Sequence, residues 1–199
     1  SARPLIVYTC LLGNYEELKS PLHADPGARY IAFTDNASLR SDVWEICVLK
    51  DRLSTTRRTS RLPKILPHRY LPTHDISIYV DASLKVLAPD IREMADECLA
   101  DADIALYQHH ARSCIYDEIK ICRELGIEHP ELTAIYQDMY VRIGVKPAEG
   151  LFENTLIVRR DSPTSRKLNE AWWNAYLGER DQLAFMYAAR STGTHVRPI

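Results

Sequence analysis

The run Leu5 to Leu12 is apolar almost from end to end, and it limits the fold more than any other stretch of the chain. A strand without alternation needs cover on both faces, which favours a parallel sheet with helices on each side. Tyr30 to Thr34 and Val43 to Leu49 read as further strands, set off by the turn formers Gly13-Asn14 and Asp35-Asn36. Ile76 to Val80, Ile104 to Tyr107 and Phe152 to Val158 complete the strand-like runs. Between them lie helical stripes: Ile91, Met94, Ala95 and Cys98 after Pro89; Ile115, Ile119, Cys122 and Leu125 closed by Gly126; Leu132, Ile135 and Met139 closed by Gly144. Ser162-Pro163 opens a helix with Leu168, Ala171, Trp172, Ala175 and Tyr176, and a last helix is expected from about Asp181 to Arg190. Strands alternating with helices predict an α/β architecture, and with no internal repeat or linker residues 1–199 read as one domain.

Charge removes two classes of partner. With 25 Lys and Arg against 27 Asp and Glu the formal net charge is -2, so no overall field draws the chain to nucleic acid. No apolar stretch approaches the ~20 residues that span a bilayer, and the segment before Leu5 is too short for a signal peptide. A cytoplasmic protein or an excised soluble domain is the expectation. Five scattered cysteines without a CxxC pair predict packed, reduced thiols. GxGxxG, Walker A, GxSxG and HExxH motifs are all lacking, which removes the common dinucleotide, NTPase, hydrolase and zincin readings.

In open α/β sheets, ligands collect beyond the carboxyl ends of the strands. Four runs end in polar residues there: Gly13-Asn14-Tyr15, Asp35-Asn36, Asp81-Ala82-Ser83 and Gln108-His109-His110. Asp81 is the most informative. A carboxylate directly after an apolar strand needs a cation or hydrogen-bond donors, so it either holds a hard divalent metal or pairs with Lys85 or a nearby Arg. Arg57, Arg58, Arg61 and Lys64 form a cationic cluster just upstream, where Pro63 and Pro67 argue against a long regular helix and for a solvated face. A metal at Asp81 would change that reading, since the cluster would then sit where a diphosphate needs neutralising. Asp181 reads as an N-cap, and His195 as one histidine in a polar tail.

Taken in order, Tyr8 to Glu16, Phe33-Thr34-Asp35-Asn36, Lys64 to Pro67, Ile78-Tyr79-Val80-Asp81-Ala82-Ser83 and Arg180-Asp181-Gln182 carry a resemblance over nearly the whole chain. The chain resembles a glycosyltransferase-like family with plant Golgi members and many short bacterial ones. More distantly it is similar to glycosyltransferase family 8, a retaining family with the GT-A fold and a nucleotide-sugar donor. The resemblance implies a GT-A-like, Rossmann-like, mostly parallel sheet and an Asp-x-Asp element that holds Mn²⁺ or Mg²⁺ with the donor diphosphate. Ser83 stands in place of the second acid.

By that comparison Gly13, Asn14, Tyr15, Asp35, Arg61, Lys64, Asp81, Ala82 and Ser83 would bind the donor. Asp81, Ser83 and His195 would hold the metal. His109, Glu153 and Asn154 would face the acceptor, and Asp181 and Gln182 would border the reacting sugar. Departure of a sugar from a diphosphate places negative charge on the leaving group and positive charge on an oxocarbenium-like ring. Retention needs a polar group beneath the anomeric carbon, for which Gln182 or Asp181 serve; inversion needs a base, for which Asp181, Glu153 or His109 serve. The implied partners are a UDP-type nucleotide-sugar and a glycan or other hydroxyl acceptor, and the short chain leaves room for a partner subunit in a homo-oligomer. The alternatives are a non-catalytic nucleotide-sugar or glycan-binding module and, less favoured, a nucleotidyltransferase.

Overall fold

A computed structural model describes residues 4–14 and 16–199. In chain order its elements are β1 (Leu5–Leu11), β2 (Ala28–Thr34), β3 (Glu45–Val48), α1 (Thr56–Ile65), α2 (Pro67–Tyr70), β4 (Ile76–Val80), α3 (Ile91–Cys98), β5 (Ile104–Gln108), α4 (Ile115–Glu124), α5 (Pro130–Arg142), β6 (Phe152–Arg160), α6 (Pro163–Ala175), α7 (Gln182–Thr192) and β7 (Arg197–Pro198). The sheet order is β3-β2-β1-β4-β6-β5-β7. All pairings are parallel except those of β6, which runs against both β4 and β5. The expected α/β class with a mostly parallel sheet is therefore what forms.

Residues of one strand alternate between two cores. Ile6 and Tyr8 of β1 and Tyr79 of β4 join Leu62, Ile65, Ile115, Ile119, Leu168, Trp172 and Phe185 on one face. Leu5, Val7, Ile76, Ile78 and Val80 join Trp44, Ile91, Ala95 and Leu99 on the other. Both faces are covered, which is why the first run carries no alternation. All five cysteines are free thiols.

Three local expectations need correction. The cationic cluster does lie on a helix: α1 runs ten residues with Pro63 inside it. Proline there sacrifices one intrahelical bond near the helix end, and burial of Leu62, Pro63 and Ile65 outweighs that loss. The end is also pinned, because the Lys64 carbonyl accepts hydrogen bonds from Arg159 at 2.8 Å and the Tyr8 hydroxyl at 3.3 Å. Asp181 occupies the N-cap position of α7 but makes no capping bond with its side chain. The tail, finally, ends in a short edge strand, β7, which pairs with β5.

Candidate active site

The chain reverses its direction of travel across the sheet between β1 and β4, which pair side by side, and this is where an open α/β sheet opens its ligand crevice. Because β6 is antiparallel, its first residues return to the same carboxyl edge. Val80 pairs with Leu156, and the Asp81 N–H donates to the Thr155 carbonyl at 2.9 Å. One edge thus collects the ends of β1, β4 and β5 and the start of β6.

Asp81 follows Tyr79 by two residues, so both face the α1 side of the sheet. The Tyr79 hydroxyl donates to Asp81 Oδ1 at 2.6 Å, and Lys64 Nζ lies 3.7 Å from the same oxygen. Arg57, Arg61 and Lys64 recur at i, i+4 and i+7 on α1 and so share a face. Arg61 and Lys64 reach Asp181, with Arg61 Nε 3.1 Å from Oδ1 and Lys64 Nζ 3.0 Å from Oδ2. Asp181, Lys64 and Gln182 are all buried. Burial pushes the Asp181 carboxyl up, but the Lys64 and Arg61 charges outweigh it and hold the group well below the usual carboxylate range. For Arg61 burial works against the charge, and the Asp181 carboxylate reverses that and raises its pKa.

Two cavities meet at Arg61. The larger, about 790 Å³, is lined by Cys10 to Leu12 at the end of β1, Thr55, Thr56, Arg57 and Arg61 on the start of α1, Ala82 and Glu179. The smaller, about 290 Å³, is lined by Arg61, Lys64, Asp81, His109, Glu153, Asn154, Asp181 and Gln182 together with Arg112 and Arg180. Gln182 is fixed at both ends: Nε2 donates to the Phe152 carbonyl at 2.8 Å, and Oε1 accepts from Arg180 at 2.7 Å. His109 is buried as a ring, and its Nδ1 accepts two backbone N–H groups at 3.1 Å, from Ala111 and Arg112. Burial and the Arg112 charge depress its pKa. Glu153 accepts from the exposed ring of His110. Its burial favours the neutral acid, yet the His110 contacts outweigh that and lower its pKa.

The nucleotide-side residues are arranged less uniformly. Gly13 and Asn14 both have left-handed backbones, φ 79° and 55°, and the Gly13 N–H donates to both Asp35 oxygens at 3.2 Å. Asp35 therefore braces the loop after β1. Tyr15 lies outside the described residues. Ser83 is exposed in the turn after Asp81, where its carbonyl accepts from Lys19.

His195 is not brought to Asp81. The register of Ala105 with Arg197 puts it near the amino end of β5, its Nε2 3.7 Å from Asp101, and β7 is three strands from β4, about 14 Å across the sheet. The expected trio of Asp81, Ser83 and His195 does not converge for that reason. Among the described residues, His109, His110 and Glu153 form the group whose potential metal-ligating atoms lie within 4.8 Å of one another. The Nδ1 lone pair of His109 is already committed there, which weakens that set as a metal centre.

Sequence reasoning missed Glu118, Arg112 and Glu128. Glu118 falls at helical spacing with Ile115, Ile119 and Cys122, and an acid on an apolar stripe was the legible signal. Glu128 is buried and accepts the N–H groups of His129, Glu179 and Arg180 at 3.0, 2.7 and 2.9 Å, fixing the turn that leads into Asp181.

Comparison with known proteins covers nearly the whole chain. A model of the TOD1/MUCI70 glycosyltransferase-like domain matches residues 1–197. The probable hexosyltransferase MUCI70 of Arabidopsis thaliana is 21% identical over 213 residues, which is 92% of this chain but 36% of the plant protein. Among solved structures, the bifunctional glycosyltransferase WbbM superposes with a TM-score of 0.55 at 13% identity, over 99% of this chain and 39% of that one. Mouse xyloside xylosyltransferase 1 gives 0.53 at 11% identity, over 99% of this chain and 84% of its own. With the family model matching nearly the whole chain and the fold in agreement, the chain belongs to the TOD1/MUCI70 glycosyltransferase-like family.

Proposed function

We propose that the chain is a retaining, metal-dependent hexosyltransferase that moves a sugar from a UDP-type donor to a hydroxyl acceptor. The observation that carries this reading is the meeting of the two cavities at Arg61, beside Asp81 and above the β1–β4 crevice. The larger cavity suits the nucleoside, the junction the diphosphate and the smaller cavity the sugar. Negative charge developing on the leaving diphosphate would meet Arg61 and Lys64, which are already oriented by Asp181 and need no reorganisation.

The titratable groups favour retention. A general base works best with a pKa near the operating pH. Asp181 and Glu153 are held below their ordinary values, and His109 has its Nδ1 occupied. Gln182, anchored at both ends beside the sugar cavity, is instead a fixed dipole for a positively charged ring.

The donor set fits a divalent ion in part. Among the described residues, the hydrogen bond to the Asp81 carboxylate falls on Oδ1, so Oδ2 is the carboxylate oxygen left for an ion, whereas Ser83 is exposed in the turn and lines neither cavity. Mg²⁺ and Mn²⁺ accept one carboxylate when phosphate oxygens supply the rest. Bound there, the ion would act as a Lewis acid on the diphosphate.

Mn²⁺ with UDP at about 100 times Kd is expected to contribute about 2.7 kcal/mol and raise Tm by roughly 5–10 °C. Asp81→Ala should remove the metal-dependent share. Absence of any shift with UDP or GDP, with and without metal, would sink the reading. The neutral Ser83 also suits a binding module without catalysis. Slow metal-dependent release of UDP from UDP-sugar, lost in Asp81→Ala, would exclude that module.

A further inference from the structure

Glu118 holds two arginines from behind the smaller cavity. Its Oε2 accepts from Arg112 Nε at 2.6 Å, and its Oε1 lies 3.4 Å from Arg180 Nη2. The carboxylate is buried on α4, while both arginines line the cavity. The two guanidinium groups share this one carboxylate, and the cavity's remaining acids have partners of their own: Asp181 in Arg61 and Lys64, Asp81 in Tyr79 and Lys64, Glu153 in the His110 ring.

Hydrogen-bond donors are left over at this end of the cavity. Arg180 Nε is buried without a hydrogen-bond partner among the described residues, and so are both polar atoms of the Asn154 amide in the same cavity. Neither Arg112 Nη1 nor Arg180 Nη1 makes a hydrogen bond among the described residues. Buried polar groups without partners are costly, and guanidinium forks match planar or tetrahedral oxyanions better than any neutral hydroxyl.

We propose that this end of the cleft is a subsite for an oxyanion carried on a sugar, a carboxylate or a phosphate separate from the donor diphosphate. Arg112 and Arg180 bind it, and Glu118 is a positioning residue that aims them. The proposal rests on the reading above only in giving the neighbouring cavity to the nucleotide.

Ligand-observed NMR titration of the full chain with methyl glucoside, methyl glucuronide and glucose 6-phosphate tests it, alongside a separate UDP titration. One charged sugar is expected to bind at least about tenfold more tightly than the neutral one, and that advantage should shrink as salt rises. The tighter of the two charged sugars names the oxyanion. Arg112→Gln and Arg180→Gln should each remove most of the preference while changing UDP affinity less than about twofold. Arg112→Lys, which keeps charge without the fork, should retain part of it, and the salt dependence of the wild type needs no variant. Equal binding of charged and neutral sugars, or binding of neither, overturns the subsite. So does a loss of UDP affinity in Arg112→Gln as large as the loss for sugar, since the pair would then grip the diphosphate. A sugar preference without UDP binding would leave the subsite standing and refute the donor assignment.

Discussion

Asp181→Ala is expected to lower the unfolding free energy by about 3–5 kcal/mol, because it removes the counter-charge from the buried Lys64 and from Arg61 beside it. Lys64 is 2% exposed and Asp181 3%, and Arg61 contacts the same carboxylate at 3.1 Å. An exposed ion pair would cost less than about 1 kcal/mol to break, so urea unfolding separates the two cases cleanly. A loss under that limit would show that the pair is solvated. Substituting Lys64→Met together with Asp181→Leu should recover part of the loss, since it removes the buried cation with its carboxylate and leaves only the partly exposed Arg61 without a counter-charge. Acid has a defined effect on the same group. The Asp181 pKa is depressed in the folded state, so its contribution is complete above the unfolded Asp value of about 3.9 and is lost as pH falls below it toward the folded value. Between pH 5 and 8 this group adds no slope, and the decline below about pH 4 should be shallower in Asp181→Ala than in the wild type.

The residues that make this pair were visible in the sequence, but their meeting was not. Asp81 stood out because an acid ends an apolar strand, and that signal is local. Asp181 lies a hundred residues later, and only the packing of α7 against α6 and β6, with α6 against α1, brings it within 3.0 Å of Lys64. The argument from Pro63 failed because it weighed local helix propensity without the burial that holds α1 together. The direction of β6 was equally hidden, since an apolar run reports burial and says nothing of which way the chain travels. Its reversal is what carries Glu153 and Asn154 to the carboxyl edge beside Asp81. The resemblance gathered most of the residues of the smaller cavity in advance, but of those lining the larger one only Arg61 and Ala82. It went astray at His195, where a two-residue edge strand decides the position.

Gly178→Ala is expected to be nearly as damaging as loss of Asp181, by a route that touches no substrate. A Cβ at position 178 would overlap the carboxylate of Glu128. That carboxylate is buried and accepts three backbone N–H groups, from His129, Glu179 and Arg180, so it cannot swing aside without leaving donors unpaired. Overpacking of this kind costs about 1–3 kcal/mol. The larger effect should fall on turnover. Residues 178–180 lead straight into Asp181 and Gln182, and a displacement of about 1 Å at a reacting centre can cost about a hundredfold in rate. Glu128→Asp shortens the obstructing side chain, so the double variant should recover part of both losses, and the size of that coupling measures the contact directly. Stability within about 0.5 kcal/mol of wild type and turnover within twofold for Gly178→Ala would show that the turn is free to yield. The alternative outcome, rescue by Glu128→Asp of kcat more than of KM, would identify Glu128 as the group that sets the position of Asp181 and Gln182 in the transition state.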